Sequence, residues 1–144
     1  MIVEDMVSLE VRFLIGFVFA FIAGFFIGYE RGSRDKPAGV RTHTMVCLGA
    51  MLFTMISNEV DPNSTSRIAA NIIMGIGFIG AGIIMHYKGS IYGVTTAASI
   101  WMAAAIGMAI GYNWYLVSIV ATLISFIVLR LPHFGEHGPP RIKS

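Results

Sequence analysis

Long apolar runs alternate with short clusters of charge along this chain. Apolar side chains dominate positions 9–29, 41–57, 67–85, 93–111 and 113–131, and the charged residues collect at the seams between them. A helix needs about 20 mostly apolar residues to cross a bilayer, so these runs read as membrane helices. Positions 89–129 carry no charge at all, which is room for two crossings, and "GYNW" at 111–114 supplies the turn between them. The pattern predicts an all-α integral membrane protein, a bundle of five transmembrane helices. A Pro/Gly-rich tail over 132–144, "LPHFGEHGPPRIKS" with its preceding leucine, has too little apolar content to fold alone and is expected to be flexible.

Small residues refine the picture, because helices in lipid associate by close packing rather than by hiding apolar surface. The first span places Gly16, Ala20, Gly24 and Gly28 four apart on one face, and the fourth does the same with Ala103, Gly107 and Gly111. The third carries "GIGFIGAG" at 75–82. At about 100° per residue Gly75 and Gly82 fall within about 20° of each other, with Gly77 and Gly80 nearly opposite. A helix thinned on two faces is expected to be the central one, packed between two neighbours, or to have a locally opened backbone. Gly77→Leu or Gly80→Leu is then expected to disrupt assembly. The same letters contain G-x-G-x-x-G, but a dinucleotide fingerprint needs a preceding strand and an acidic residue about 20 positions later. Here "RIAANIIM" precedes it and "TTAASIWMAAA" follows. Neither nucleotide nor nucleic acid is expected as a partner.

Composition agrees with the pattern: 56% of residues are hydrophobic and 12% charged, about half the charge of a soluble domain. The net charge of +2 matters through its placement. Arg31, Arg34, Lys36, Arg41, Lys88, Arg130, Arg141 and Lys143 fall on one side of the five-span topology, and Arg12 and Arg67 on the other. The positive-inside rule puts the first group in the cytoplasm, hence an outside N-terminus and a cytoplasmic C-terminus. The acidic start, "MIVEDMVSLEVR", is unlike a signal peptide, so the first span is expected to be retained. Cys47 has no second cysteine to pair with. No soluble domain is left over, and function falls to the bundle, the basic loop, the tail or a partner.

Ionisable and polar groups at membrane depth are the functional candidates. Glu30 and Arg31 end the first span, and Arg41, Thr42 and His43 open the second. They read either as interfacial anchors with an ion pair closing the hairpin, or as a binding patch built from Glu30, Arg31, Arg41 and Thr42. Arg67 opens the third span with Asn71 and Gly75 below it on the same face. Arg67 can snorkel to the interface; Asn71 is expected to bond across to another helix or to contact a ligand or ion. Thr95, Thr96 and Ser99 can bond back to their own helix or across to neighbours. Metal ligands are sparse: Glu59 with Asp61, and His133, Glu136 and His137 in the tail, where Pro132 and Gly135 oppose the helix that would align them. No nucleophile, base and orienting group occur together, so no enzyme activity and no cofactor is expected, with Mg²⁺ as the one weak candidate.

Three stretches, "GYERGSRDKPAGVRTHTMVCLGAMLFTMIS", "DPNSTSRIAANIIMGIGFIGAGIIM" and "YGVTTAASIWMAAAIGMAIG", together resemble the MgtC/SapB family of bacterial inner-membrane proteins. The resemblance rests on Gly28, Glu30, Arg31, Ala38, Gly39, Arg41, Thr42 and His43; on Arg67 to Ala70 with Gly75, Gly77, Gly80 and Gly82; and on Thr95, Thr96 and Trp101. Asn71 stands where the family usually has Gln, and Ile79 where it has Leu. Ending at Ser144, the chain is similar to the short SapB-like members that lack a cytoplasmic C-terminal domain. The resemblance implies a multi-pass protein of the bacterial inner membrane, linked to magnesium limitation, acid stress and, in pathogens, survival in phagocytes. In longer members it implies restraint of the F-type ATP synthase by membrane contact. The leading expectation is therefore a regulator acting by intramembrane contact with a partner such as the ATP synthase membrane sector. A cation channel or carrier for Mg²⁺, formed by a homodimer or larger oligomer, is the alternative; a ligand-free membrane assembly factor is a third.

Overall fold

The structure, a computed structural model, describes residues 2–87 and 90–132. It contains α1 (Ile2–Ser33), α2 (Val40–Val60), α3 (Thr65–Ile83), a hairpin of β1 (Met85–Tyr87) and β2 (Ser90–Tyr92), then α4 (Val94–Gly111) and α5 (Tyr115–Arg130). The five predicted apolar runs are the five helices. Four of them, α1 to α4, are long and apolar enough to cross a membrane. Helix α5 has 16 residues, which is about 24 Å against a hydrocarbon core of about 30 Å. Its exposed Leu116, Leu123 and Ile127 still belong in lipid.

Helix α2 lies at the centre, and glycines on its neighbours put it there. A Cβ at Gly24 of α1 would sit 2.5 Å from the Thr44 Cα, and one at Gly28 would sit 2.5 Å from the Val40 Cα. On the other side a Cβ at Gly107 of α4 would run into the Cys47 carbonyl, and one at Gly111 would come 2.5 Å from the Thr54 Cβ. The small-residue stripes of the first and fourth spans thus both face α2. Between them pack Ala20, Ala23 and Ile27, Cys47, Met51 and Met55, and Ile106 and Ile110, with Leu129 of α5 at the edge. At the end of the bundle far from the basic loop, Arg12 pairs with Glu59 at 2.7 Å and Asn58 donates to the Gly111 carbonyl at 3.3 Å.

The expectation that the third span is the central helix is overturned. Only 6% of the α3 span is buried, against 44% in α2 and 50% in α4. Of its glycines only Gly80 meets a neighbour, with its Cβ position 3.5 Å from the Ala97 Cβ; at Gly75, Gly77 and Gly82 nothing lies within 4 Å. The helix is thinned on two faces but packs on one. No opened backbone is seen either, since α3 runs unbroken from Thr65 to Ile83.

Met85, the last residue assigned to the third span, belongs instead to the hairpin, whose register pairs Met85 with Tyr92 and His86 with Ile91. Gly93 closes it at φ +88, and any Cβ there would collide with the Ile83 carbonyl. Only glycine joins this hairpin to α4 without strain. The predicted turn between α4 and α5 is present, with Asn113 at φ 61 and Trp114 N–H bonded to the Ala109 carbonyl at 2.8 Å. Asn is the non-glycine residue best suited to that conformation.

Candidate functional site

The close α1–α2 and α2–α4 approaches bring three short polar sequences together at the basic-loop end. Arg31 ends α1, His43 lies one turn into α2, and Thr96 and Ser99 share a face of α4. Arg31 Nη2 donates to Thr96 Oγ1 at 2.9 Å. His43 Nε2 lies 2.9 Å from Ser99 Oγ, and its Nδ1 lies 2.9 Å from the Gly39 carbonyl. Glu30, Arg31, His43, Thr96 and Ser99 are all at most 5% exposed. This is a buried polar cluster knitting three helices.

Its hydrogen bonds constrain where protons sit. A carbonyl only accepts, so Nδ1 of His43 carries a proton. Ser99 has one hydroxyl proton and two acceptors in reach, the Thr96 carbonyl at 2.8 Å and, when the ring is neutral, His43 Nε2. When the ring takes a second proton, Nε2 donates to Ser99 and the hydroxyl turns fully to Thr96.

Charge in the cluster is only partly compensated. Glu30 Oε1 lies 2.6 Å from Arg34 Nε, and Glu30 Oε2 lies 3.9 Å from Arg31 Nη1. The first contact is close but off line for a hydrogen bond, so both Glu30 oxygens, with Arg31 Nε and Nη1, have no hydrogen-bonding protein group. A buried ion pair with unfilled valences is expensive to keep, and its position at a helix end, where Ser33 Oγ also bonds the Glu30 carbonyl at 2.8 Å, keeps it near the membrane edge.

The predicted patch of Glu30, Arg31, Arg41 and Thr42 is assembled only in part. Arg41 is exposed and Thr42 half-buried, and neither bonds to the cluster; His43 and Ser99 take their places. The signal for His43 was its position on the α2 face shared with Cys47, Met51 and Thr54, and for Ser99 its place one turn after Thr96. Thr95 is half-buried, and Trp101, 48% exposed, lines a groove at the α3–α4–α5 junction that Tyr112 and Trp114 border farther along. Arg67 and Asn71 lie at the opposite end, both exposed. The expected bond from Asn71 to another helix is not made, because α3 stands off from α2 there and leaves a groove. Among the described residues no three His, Cys, Asp or Glu side chains converge, and Glu59 is held by Arg12. His133, Glu136 and His137 lie outside the described residues.

Comparison with known proteins assigns the family. The MgtC family model matches residues 17–136. The Escherichia coli K12 protein named "Putative magnesium transporter YhiD" is 41% identical over 134 residues, covering 85% of this chain and 61% of its own length. The protein named MgtC of Salmonella typhimurium is 39% identical over 112 residues, 78% of this chain and 48% of its own length. The Brucella abortus protein of the same name is 43% identical over 110 residues, 76% and 45%. The chain thus spans between about half and three-fifths of these curated relatives. No solved structure matches it. With four apolar helices able to span a bilayer and a family match over most of its length, this membrane protein belongs to the MgtC family.

Proposed function

We propose that the chain is a regulatory membrane module, linked to magnesium limitation and acid stress, that acts by laying α3 against helices of a partner protein. One observation carries this reading. Gly24, Gly28, Gly107 and Gly111 each face a backbone or side chain of this chain, whereas Gly77, on the outward side of α3, faces nothing within 4 Å. At about 100° per residue, Ala70, Gly77 and Ala81 fall within about 40° of one another, and all three are exposed. With only the flexible Met74, 66% exposed, in the same row, small residues so placed let two helix backbones approach closely in lipid. The family resemblance suggests the membrane sector of the F-type ATP synthase as the partner. The test is to reconstitute ATP synthase with and without this protein and follow proton pumping. Restraint that is lost in Gly77→Leu and Ala81→Leu supports the reading; unchanged pumping at saturating ratios removes the ATP synthase as partner.

A second reading, cation transport, is favoured by the unfilled Glu30–Arg31 pair and by the name of the Escherichia coli relative. Proteoliposomes with a trapped Mg²⁺ dye decide it. Flux above empty vesicles that is lost in Glu30→Gln supports transport, and no flux under a gradient and imposed potential removes it.

A further inference from the structure

The groove between α2 and α3 has two parts of different chemistry. Its apolar length, about 560 Å³, is lined by Met45, Phe53, Ile68, Ile72, Gly75 and Ile79 among others. Toward the end opposite the basic loop it meets a mouth of about 270 Å³ lined by Ser57, Asp61, Ser64, Arg67 and Asn71. Ile68 and Asn71 border both parts, so the two adjoin as one amphipathic groove.

The mouth, which Ile56, Val60 and Ile68 also line, holds several polar groups without partners among the described residues. Ser57 is 4% exposed, and its Oγ has no hydrogen-bond partner. Arg67 and Asp61 are exposed and take part in no ion pair among the described residues, the nearby Glu59 being engaged by Arg12. Ser64 does not cap α3 with its side chain, which leaves the positive helix terminus at the same spot. A buried hydroxyl such as that of Ser57 needs a partner. A free ion would serve the mouth and leave the apolar length unfilled; a bare hydrocarbon would do the reverse.

A molecule with both halves is a phospholipid, and the mouth offers one cation and one anion. We propose that the α2–α3 groove binds a zwitterionic aminophospholipid, its phosphate on Arg67, its ammonium on Asp61, its ester region beside Asn71 and Ser57, and one acyl chain along Phe53 and Ile79. Gly49 and Gly75, with open space at their Cβ positions, give that chain its width. The site uses the face of α3 turned to α2, not the outward stripe of Ala70, Gly77 and Ala81, and stands apart from the partner contact.

Native mass spectrometry of the full chain in detergent, titrated with palmitoyl-oleoyl lipids bearing ethanolamine or glycerol headgroups, tests this. The ethanolamine lipid is expected to bind best. Arg67→Gln should weaken both lipids by about tenfold, the scale of one lost charged hydrogen bond, and Arg67→Lys should retain most binding. Asp61→Asn should erase the headgroup preference without abolishing binding, Gly75→Leu should block the chain, and Glu10→Gln should change nothing. Equal binding by wild type and folded Arg67→Gln overturns the proposal, as does the absence of a headgroup preference. Thermal stabilisation by inorganic phosphate alone marks a simple anion site and also overturns it. So does a Gly75→Leu variant that loses oligomer mass yet keeps its lipid, since the groove would then be a subunit contact.

Discussion

Arg31 and Gly24 show how single residues set this architecture. Arg31 keeps one of its buried guanidinium bonds through Thr96, so Thr96→Val should cost about 1–3 kcal/mol, the penalty for a buried polar group left short of a partner. Thr96→Ser should recover most of it; equilibrium unfolding in detergent measures both. Gly24→Ala should cost a similar amount, about 1–3 kcal/mol of overpacking against the α2 backbone, since its Cβ would meet the Thr44 Cα at 2.5 Å. Gly77→Leu, which a packing argument from sequence expected to disrupt assembly, should leave the stability of the isolated chain within about 0.5 kcal/mol, because nothing lies near it. Thermal melts of the two glycine variants side by side check the contrast. Glu30, Arg31 and Thr96 were legible as candidates because charge and hydroxyls at the edge of an apolar run stand out. Their assembly with His43 and Ser99 was not, since it depends on which helix lies across from which.

At the level of elements, helical periodicity located the spans but not their neighbours. Glycines four apart on α1 and α4 pack as expected because each stripe meets one partner, α2. In α3 the same composition serves a helix that touches α4 near Gly80 and little else; a wheel shows that a face is smooth, not that something covers it. The hairpin escaped notice because Ile83, Ile84 and Met85 extend the apolar run through the real helix end, and Gly93 alone marks the change of direction. The weak packing of α3 has a measurable counterpart. Its amides should exchange hydrogen faster than those of the central α2 in the purified protein, since local opening follows burial. Comparable protection along both helices would show that α3 is held by contacts, such as a second copy, outside the single chain.

For the whole molecule, the family match and the apolar helices agree on a membrane protein, while the orientation given by the basic loop remains an expectation from charge placement. Accessibility labelling of single cysteines placed at Asn63 and Ser33, in a Cys47→Ala background, measures it. Inside-facing Ser33 and outside-facing Asn63 are the expected result. Helix α5 adds a different kind of consequence. Its first residue, Tyr115, lies against Phe19 with ring centroids 4.9 Å apart, and its 16 residues span about 24 Å. A helix that short cannot match a bilayer of ordinary depth along its whole flank. Lipids beside α5 must compress, at a cost of a fraction of a kcal/mol per Å. The protein should thus be most heat-stable in nanodiscs of short-chain lipids and lose stability as the chains lengthen, and in a membrane of uneven depth it should gather where the bilayer is thinnest.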